Sequence, residues 1–354
     1  MEFGRRRGAP DQARRHGRSR RLAAFPVVIE RTDPAPHLGR HPAPAEFHVK
    51  PLDSGASVEG KTYEAAGVSL TAADAIVDRL RAAVESTGAH GFGAFAGLHP
   101  LDDRLLLAAS TDSVGTKLIL ARERGRLRDC GRDLAAHCIN DVATTGAEPL
   151  FLLDYVAANR IVLEQVAELV EGAAEVCREA GCGLIGGETA ELPGIYRGDE
   201  LDFAGTCVGL VERDRLVDGS QVVAGDVVIG FSSAGVHANG FTLVRRILAD
   251  EDYDGDDLLA PTRLYIEVVR ALGGRAKALA HVTGGGILGN LSRALPAGVC
   301  AELDWASWTR PPVFEWLARH VDEEELRRVF NLGVGFCAVV AEPQPGERVI
   351  GRIA

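Results

Sequence analysis

Leu105-Leu-Leu-Ala-Ala-Ser-Thr-Asp-Ser-Val-Gly-Thr-Lys117 joins an apolar run to a polar turn, and Cys138-Ile-Asn-Asp141 follows downstream. The run Leu105 to Ala109 reads as a buried strand, which places Asp112 just beyond a strand's carboxyl end, where open α/β sheets bind their ligands. Gly115 lets backbone N–H groups approach an anion, and Thr116 and Lys117 add a hydroxyl and an ammonium. Asp112 and Asp141 are hard oxygen donors, and Mg²⁺ is commonly held by one or two carboxylates plus the phosphates of its substrate. The pattern predicts a metal-phosphate site. A strand-to-helix turn with a capping Asp is the plainer alternative.

Composition narrows the class. The chain has 354 residues, enough for two domains, and 46% apolar with 25% charged residues is ordinary for a globular protein. A net charge of −11 argues against nucleic-acid or anionic-membrane partners, which need a clustered positive field. Seven cysteines without a CxxC pair or zinc-like Cys/His spacing fit a reducing, cytoplasmic setting. Cys177 falls on a helix's apolar face and reads as core. No apolar run approaches the roughly 18–20 residues of a membrane span. Residues 1–57 stand apart: rich in Arg, Pro, Gly and His, aperiodic, with eleven basic against six acidic side chains. They read as a disordered basic extension.

Beyond it, Thr71 is placed to cap a helix with Asp74 as capping-box partner and Ile76, Val77, Leu80 and Val84 as its buried stripe. Gly91-Phe-Gly93-Ala-Phe-Ala96 matches a dinucleotide pattern, yet a helix precedes it where a strand is required, so a nicotinamide site is rejected. A mobile flap and a connecting loop both remain open there. Pro149 to Tyr155 reads as a strand and Val162 to Ala180 as a long helix. Leu184-Ile185 is then a short strand entering the acidic loop Gly186-Gly-Glu-Thr-Ala-Glu191. Phe203 to Val211 is a further strand, and Asp214 to Asp226 a turn-rich boundary.

The second half opens with the strand Asp226 to Ser232, running into Ser233-Ala-Gly-Val-His-Ala-Asn-Gly240, where His237 and Asn239 offer hydrogen-bonding groups. Ala278 to Val282 enters three consecutive glycines, Gly284 to Gly286, and a helix; glycines feeding a helix N-terminus suit an anion. Trp305, Trp308, Phe314 and Trp316 read as core or interface aromatics. Asn331-Leu-Gly-Val-Gly335 precedes a last strand, Phe336 to Val340. Two acidic and three glycine-rich loops thus follow strands, which predicts two α/β halves, one for a metal nucleotide and one for an anionic organic substrate. The expected boundaries are 1–57 for the extension, 58–215 for the nucleotide-binding domain, and 216–354 for the substrate domain.

These loops, in this order, resemble the phosphoribosylformylglycinamidine cyclo-ligase (aminoimidazole ribonucleotide synthetase) family. The carrying residues are Tyr63-Glu-Ala-Ala-Gly-Val68, Gly91 to Ala94, Thr111 to Lys117, Cys138 to Asp141, Gly146-Ala-Glu-Pro149, Gly186 to Glu191, Ser233 to Gly240, Leu259-Ala-Pro-Thr-Arg263, His281-Val-Thr-Gly-Gly-Gly286 and Asn331 to Gly335. The resemblance implies an α/β fold (α+β by some schemes), a homodimer whose N-terminal sheets form a β-barrel, and an ATP site near the subunit interface. It also implies ATP-dependent ring closure of formylglycinamidine ribonucleotide, with Mg²⁺ and an open question over K⁺.

On that resemblance Asp112, Asp141 and Glu188 would ligate the metal, and Lys117, Gly93 and the Gly186-Gly187 backbone would contact the nucleotide, with Asn140 and Thr189 orienting phosphates. His237 and Asn239 would face the substrate, Thr283, Gly284 and Gly285 would cradle its ribose phosphate, Asn331 would assist, and His237 would shuttle a proton. Asp112, Lys117 and His237 are the expected catalytic set. Relatives sharing the acidic loops, namely formylglycinamidine ribonucleotide synthetase, thiamine-phosphate kinase and selenophosphate synthetase, are the alternative, as is a silent ATP-binding dimer. The sequence departs from the family at its end, where Pro343-Gln-Pro-Gly-Glu347 replaces a helix, so the second half is expected to lack one covering element.

Overall fold

The computed structural model describes residues 61–88 and 92–354, and the side chains of residues 73 and 74 also fall outside the described set. The 1–57 extension and Gly91 therefore lie outside the described residues.

The chain opens with α1 (Leu70–Glu85). Its N-cap is Ser69, whose hydroxyl accepts from the Ala72 N–H, so the cap lies two residues before the expected Thr71. The expected stripe is not buried: Ile76 and Leu80 are 58% and 47% exposed in the single chain, where α1 stands beside the Gly93 loop. That loop is a tether. Arg81 donates to the Phe92 carbonyl, and the Arg293 guanidinium donates to Ala94 O and lies over the Phe95 ring at 4.2 Å.

A five-stranded sheet follows from β1 (Gly97–Pro100), β2 (Leu105–Ser113), β3 (Glu148–Ala158), β4 (Gly183–Glu191) and β5 (Leu201–Glu212), in the order β1-β2-β5-β3-β4. Only β3 and β4 pair in parallel. The helices α2 (Lys117–Glu123), α3 (Leu127–Ala143) and α4 (Leu163–Ala180) intervene, and α3 is buried on nearly every side between the sheet and α4. In β2 and β5 burial alternates residue by residue, so one face meets α3 and the other is left uncovered in the single chain. Leu106, Ala108, Leu152, Phe203 and Cys207 join Leu134, Ile139 and Leu169 in the first core. Cys177 is buried in that core, and the chain's seven cysteines are all free thiols.

The second sheet, antiparallel throughout, runs β7 (Ala278–His281), β9 (Val334–Val340), β6 (Val227–Ser232), β10 (Val349–Ile353), β8 (Ala301–Leu303). Around it lie α5 (Phe241–Leu248), α6 (Ile266–Leu272), α7 (Gly286–Ala294), α8 (Pro312–Leu317) and α9 (Glu323–Val329). Every residue of β9 is buried, since Val228, Cys337, Val339 and Ile350 meet α7 on one face while Ile229, Phe336 and Ala338 meet Tyr265 and Leu272 on the other. Strand β9 is thus covered on both faces. Pro343 to Glu347 forms a turn, with the Arg275 guanidinium on Glu347 at 2.8 and 3.0 Å, and β10 inserts between β6 and β8. Trp308, Phe314 and Trp316 are buried core aromatics. Among the described residues no helix is long and apolar enough to cross a membrane.

Candidate active site

Asp112 lies within β2, paired with Gly205, and not beyond the strand's end. The sheet is largely antiparallel, so its ligands are not confined to a carboxyl edge. Ser110 and Asp112, two apart on β2, share a face. The Ser110 hydroxyl donates to Asp141 at 3.0 Å, and Asp112 Oδ2 lies 3.1 Å from His137 Nδ1. His137 and Asp141 are one turn apart on α3. Both carboxylates therefore sit in one patch between β2 and α3. Asp141 also meets His281 Nδ1 at 2.8 Å, across from β7, and the two imidazoles stand edge to face with ring centroids 5.1 Å apart.

Burial pushes the Asp112 carboxyl up, but the hydrogen bond and charge of His137, the Ser113 N–H and the charge of His281 outweigh it and hold the group below its ordinary value. For His137 burial works against the charged ring, yet Asp112, Asp133 and Asp141 win and raise it. Burial prevails at His281, which is lowered. Asp112 keeps about a third of its side chain open to solvent, 32% against 13% for Asp141. Two hard carboxylates with free lone pairs, one of them accessible, suit a Mg²⁺ ion delivered on a polyphosphate. Among the described residues no group of three or more His, Cys, Asp and Glu is arranged to enclose an ion without such a partner.

Glu188 does not join them. The row Asp112–Gly205–Asp154–Gly187 runs across four strands, so Gly187 is three strand spacings, about 14 Å, from Asp112. Glu188 is next along β4 and points to the opposite face. Ligand oxygens on one Mg²⁺ lie no more than about 4 Å apart, so within one chain Glu188 cannot share an ion with Asp112. The expected acidic loop is in fact the edge strand β4, which carries Gly186, Gly187, Glu188 and Thr189, all exposed. A Cβ on Gly187 would stand 2.3 Å from the Asp154 carbonyl oxygen, so strand pairing itself requires this glycine.

Several polar residues expected to touch ligand instead hold the fold. Lys117 is fully buried: its ammonium is ion-paired with Asp133 at 2.6 Å and donates to the carbonyls of His237 (2.8 Å) and Ala260 (3.2 Å), so it is enclosed by protein partners. No phosphate contact is left to it. Asn140 donates to Arg263 O and accepts from the Tyr265 N–H, both at 2.8 Å, clamping the segment before α6 onto α3. Asn331 donates to the carbonyls of Gly235 and Val236 and accepts from Ser233 and the Gly333 N–H. Thr283 donates to Asn290, whose amide in turn reaches the carbonyls of Thr283, Gly284 and Gly286. Gly286 is fixed by packing, since a Cβ there would meet Arg327 O at 1.8 Å. Gly284 is open, with only the Asn239 side-chain oxygen near, at 3.7 Å.

His237 and Asn239 differ from these. Both lie in the turn between β6 and α5, and His237 takes the left-handed conformation (φ 65°). Its Nε2 accepts from the Ala234 N–H at 3.3 Å, which puts the ring proton on Nδ1. That buried Nδ1 has no partner, and neither has the buried Asn239 Nδ2. Burial, reinforced by His137, His281, Lys117 and Arg263, pushes His237 well below its ordinary value. In this conformation the ring is neutral and presents Nδ1–H as a free donor.

Profiles described as the AIR synthase related protein N-terminal and C-terminal domains match residues 93–211 and 223–351. A phosphoribosylformylglycinamidine cyclo-ligase from Synechococcus sp. (strain CC9605) is 47% identical over 302 residues, 78% of this chain and 88% of that protein. The chain belongs to the phosphoribosylformylglycinamidine cyclo-ligase family. Another cyclo-ligase, from Sorangium cellulosum, is 46% identical over 83% of this chain and 91% of its own length. Among solved structures, thiamine monophosphate kinase from Aquifex aeolicus has a TM-score of 0.58 at 16% identity, covering 81% of this chain and 95% of that one, a likeness of fold.

Within this cyclo-ligase family member, His137, His281 and Asp133 were not assigned roles from sequence. The His-x-x-x-Asp spacing of His137 and Asp141 could have suggested a shared helix face; His281 and Asp133 meet their partners only through tertiary contact.

Proposed function

We propose that this chain catalyses ATP-dependent closure of formylglycinamidine ribonucleotide to aminoimidazole ribonucleotide, with release of ADP and phosphate, in de novo purine synthesis. The observation that carries this reading is the 47% identity to a cyclo-ligase over 302 residues. In the reaction the substrate's amide oxygen attacks the γ-phosphorus of ATP and ADP departs. The internal nitrogen then attacks the activated carbon, the C–O bond breaks with phosphate leaving, and the nitrogen's proton is lost. Holding both reacting atoms in one molecule supplies much of the advantage, since well-oriented intramolecular reactions reach effective molarities on the order of 10⁵–10⁸ M.

Asp112 and Asp141 are the residues that would hold Mg²⁺ on the nucleotide phosphates, oriented by His137, His281 and Ser110. The metal supplies charge neutralisation when bound. The free donors of His237 and Asn239 serve the substrate's oxygen atoms. Because both donors are sealed in this conformation, binding involves opening of the Ser233 to Gly240 turn. The uncovered face of the first sheet, with Leu153 39% and Ile185 63% exposed, is the surface on which a second copy would close a barrel, and Glu188 lies on it. A cytoplasmic setting agrees with seven free thiols.

The test is ADP release from the purified full chain with formylglycinamidine ribonucleotide and Mg-ATP. Substrate-dependent turnover without glutamine or ammonia is expected; turnover that needs either, or ATP binding without turnover, overturns the reading. His237→Ala should raise KM for the ribonucleotide, and unchanged cyclisation would remove His237 from the site.

A further inference from the structure

Ser232 ends β6 at a register shift against β9. Three groups converge on it: the Arg263 guanidinium and the Tyr265 hydroxyl donate to its carbonyl at 3.2 and 2.9 Å, and the Arg348 guanidinium donates to its hydroxyl at 3.2 Å. Two arginines thus reach opposite ends of one serine. Both are exposed, and among the described residues neither has a carboxylate within ion-pairing distance, in a chain of net charge −11. Two unneutralised guanidiniums at one spot repel each other and are best satisfied by an anion between them, where their planar forks match a phosphate.

The neighbouring cavities lie on the Arg263 side, and Arg348 lines neither of them. A cavity of about 120 Å³ is lined by Phe231, Ser232, Arg263, Leu264, Tyr265 and Val268. A second cavity, of about 280 Å³, shares Arg263 and Leu264 and reaches Arg132 and Thr262. Small-molecule sites occupy roughly 300–1,000 Å³, so the smaller cavity takes an end group and not a whole nucleotide. The location is close to the candidate active site: Asn140, beside Asp141, binds the Arg263 carbonyl, and Ser232 leads directly into the His237 turn.

We propose that Arg263 and Arg348 form an anion subsite for the phosphomonoester end of a sugar-phosphate ligand. Resting on the cyclo-ligase reading, this ligand is the ribonucleotide substrate, whose phosphate is gripped at Ser232 while its amidine end faces His237 and Asn239.

The experiment combines calorimetry of the full chain, using ribose 5-phosphate and inorganic phosphate as probes, with steady-state kinetics. Arg348→Ala is the main variant because the residue is exposed and outside the proposed chemistry. Loss of a charge-assisted contact is expected to weaken ribose 5-phosphate about tenfold or more and raise the ribonucleotide KM by a similar factor, with kcat little changed. Arg348→Lys should recover part of the loss, and Arg263→Ala should repeat it. An unchanged KM in Arg348→Ala overturns the proposal, including the case in which that variant loses only inorganic phosphate, which would mark a free-anion site. If the wild-type chain fails to cyclise the ribonucleotide but loses ribose 5-phosphate binding on Arg348→Ala, the subsite stands and the reaction assignment falls.

Discussion

Lys117 and Asp133 meet at 2.6 Å with neither side chain reaching solvent. Asp133 Oδ1 also accepts from the backbone N–H and hydroxyl of Thr262, at 2.8 and 2.7 Å, so one ion pair ties α2 and α3 to the Ala260 to Thr262 segment and the His237 turn. Removing one member of a buried pair leaves an uncompensated charge. Lys117→Met is therefore expected to lower unfolding stability by about 3–5 kcal/mol in urea titrations, and Lys117→Met combined with Asp133→Leu to recover much of it. A Lys117→Met protein of wild-type stability that fails only to bind nucleotide would return the ammonium to the phosphates.

The consecutive glycines separate by role. Gly286→Ala must push a Cβ against Arg327 O from a left-handed backbone (φ 66°), and should cost about 2 kcal/mol or more, read as a lower urea midpoint. Gly284→Ala has room and no positive φ, so its melting temperature should stay near wild type while the ribonucleotide KM rises. Equal stability losses in the two variants would show that the turn is built for packing alone.

The uncovered face of the first sheet makes an oligomerisation prediction. Val208 and Leu153 lie on adjoining strands β5 and β3, facing away from α3. Val208→Arg and Leu153→Arg should shift the chain from dimer to monomer in sedimentation velocity, since a guanidinium cannot be buried there unpaired. Persistence of a dimer in both would place the interface elsewhere.

Asp154 gives a pH signature. Half burial raises its carboxyl above the ordinary value. The folded chain thus prefers the protonated form, and the associated stability is full below the ordinary carboxyl value and lost as pH rises through the raised one. Asp154→Asn should flatten that part of the stability curve and stabilise the protein at neutral pH. A wild-type curve with no decline across that interval, matched by the variant, would count against a perturbed group.

Local pattern placed several elements: the buried strand Phe203 to Val211, the stripe of α4 and the glycine-bounded turns each follow because the chain must hide its apolar side chains. Ordered motifs from Asp112 to Asn331 likewise identified the family, since a loop's residue types record the ligand chemistry it meets. Strand partners were beyond reach. Whether Gly186 to Glu191 is a loop or an edge strand depends on β3 lying beside it, and whether Ile76 and Leu80 are buried depends on what covers α1.

The sequence by itself determined that acids, glycines and hydrogen-bonding residues line the turns of a two-part α/β chain. Only the tertiary structure decided which of them are free to act. It tied Lys117 to His237, Asn140 to Arg263 and Asn331 to Gly235, each more than ninety residues away, left His237 Nδ1 and Asn239 Nδ2 without any partner, and carried Glu188 to the far face of the sheet. The reason is physical: a polar group's role is set by whether its hydrogen bonds are already satisfied, and those partners come from chain segments that local sequence does not place.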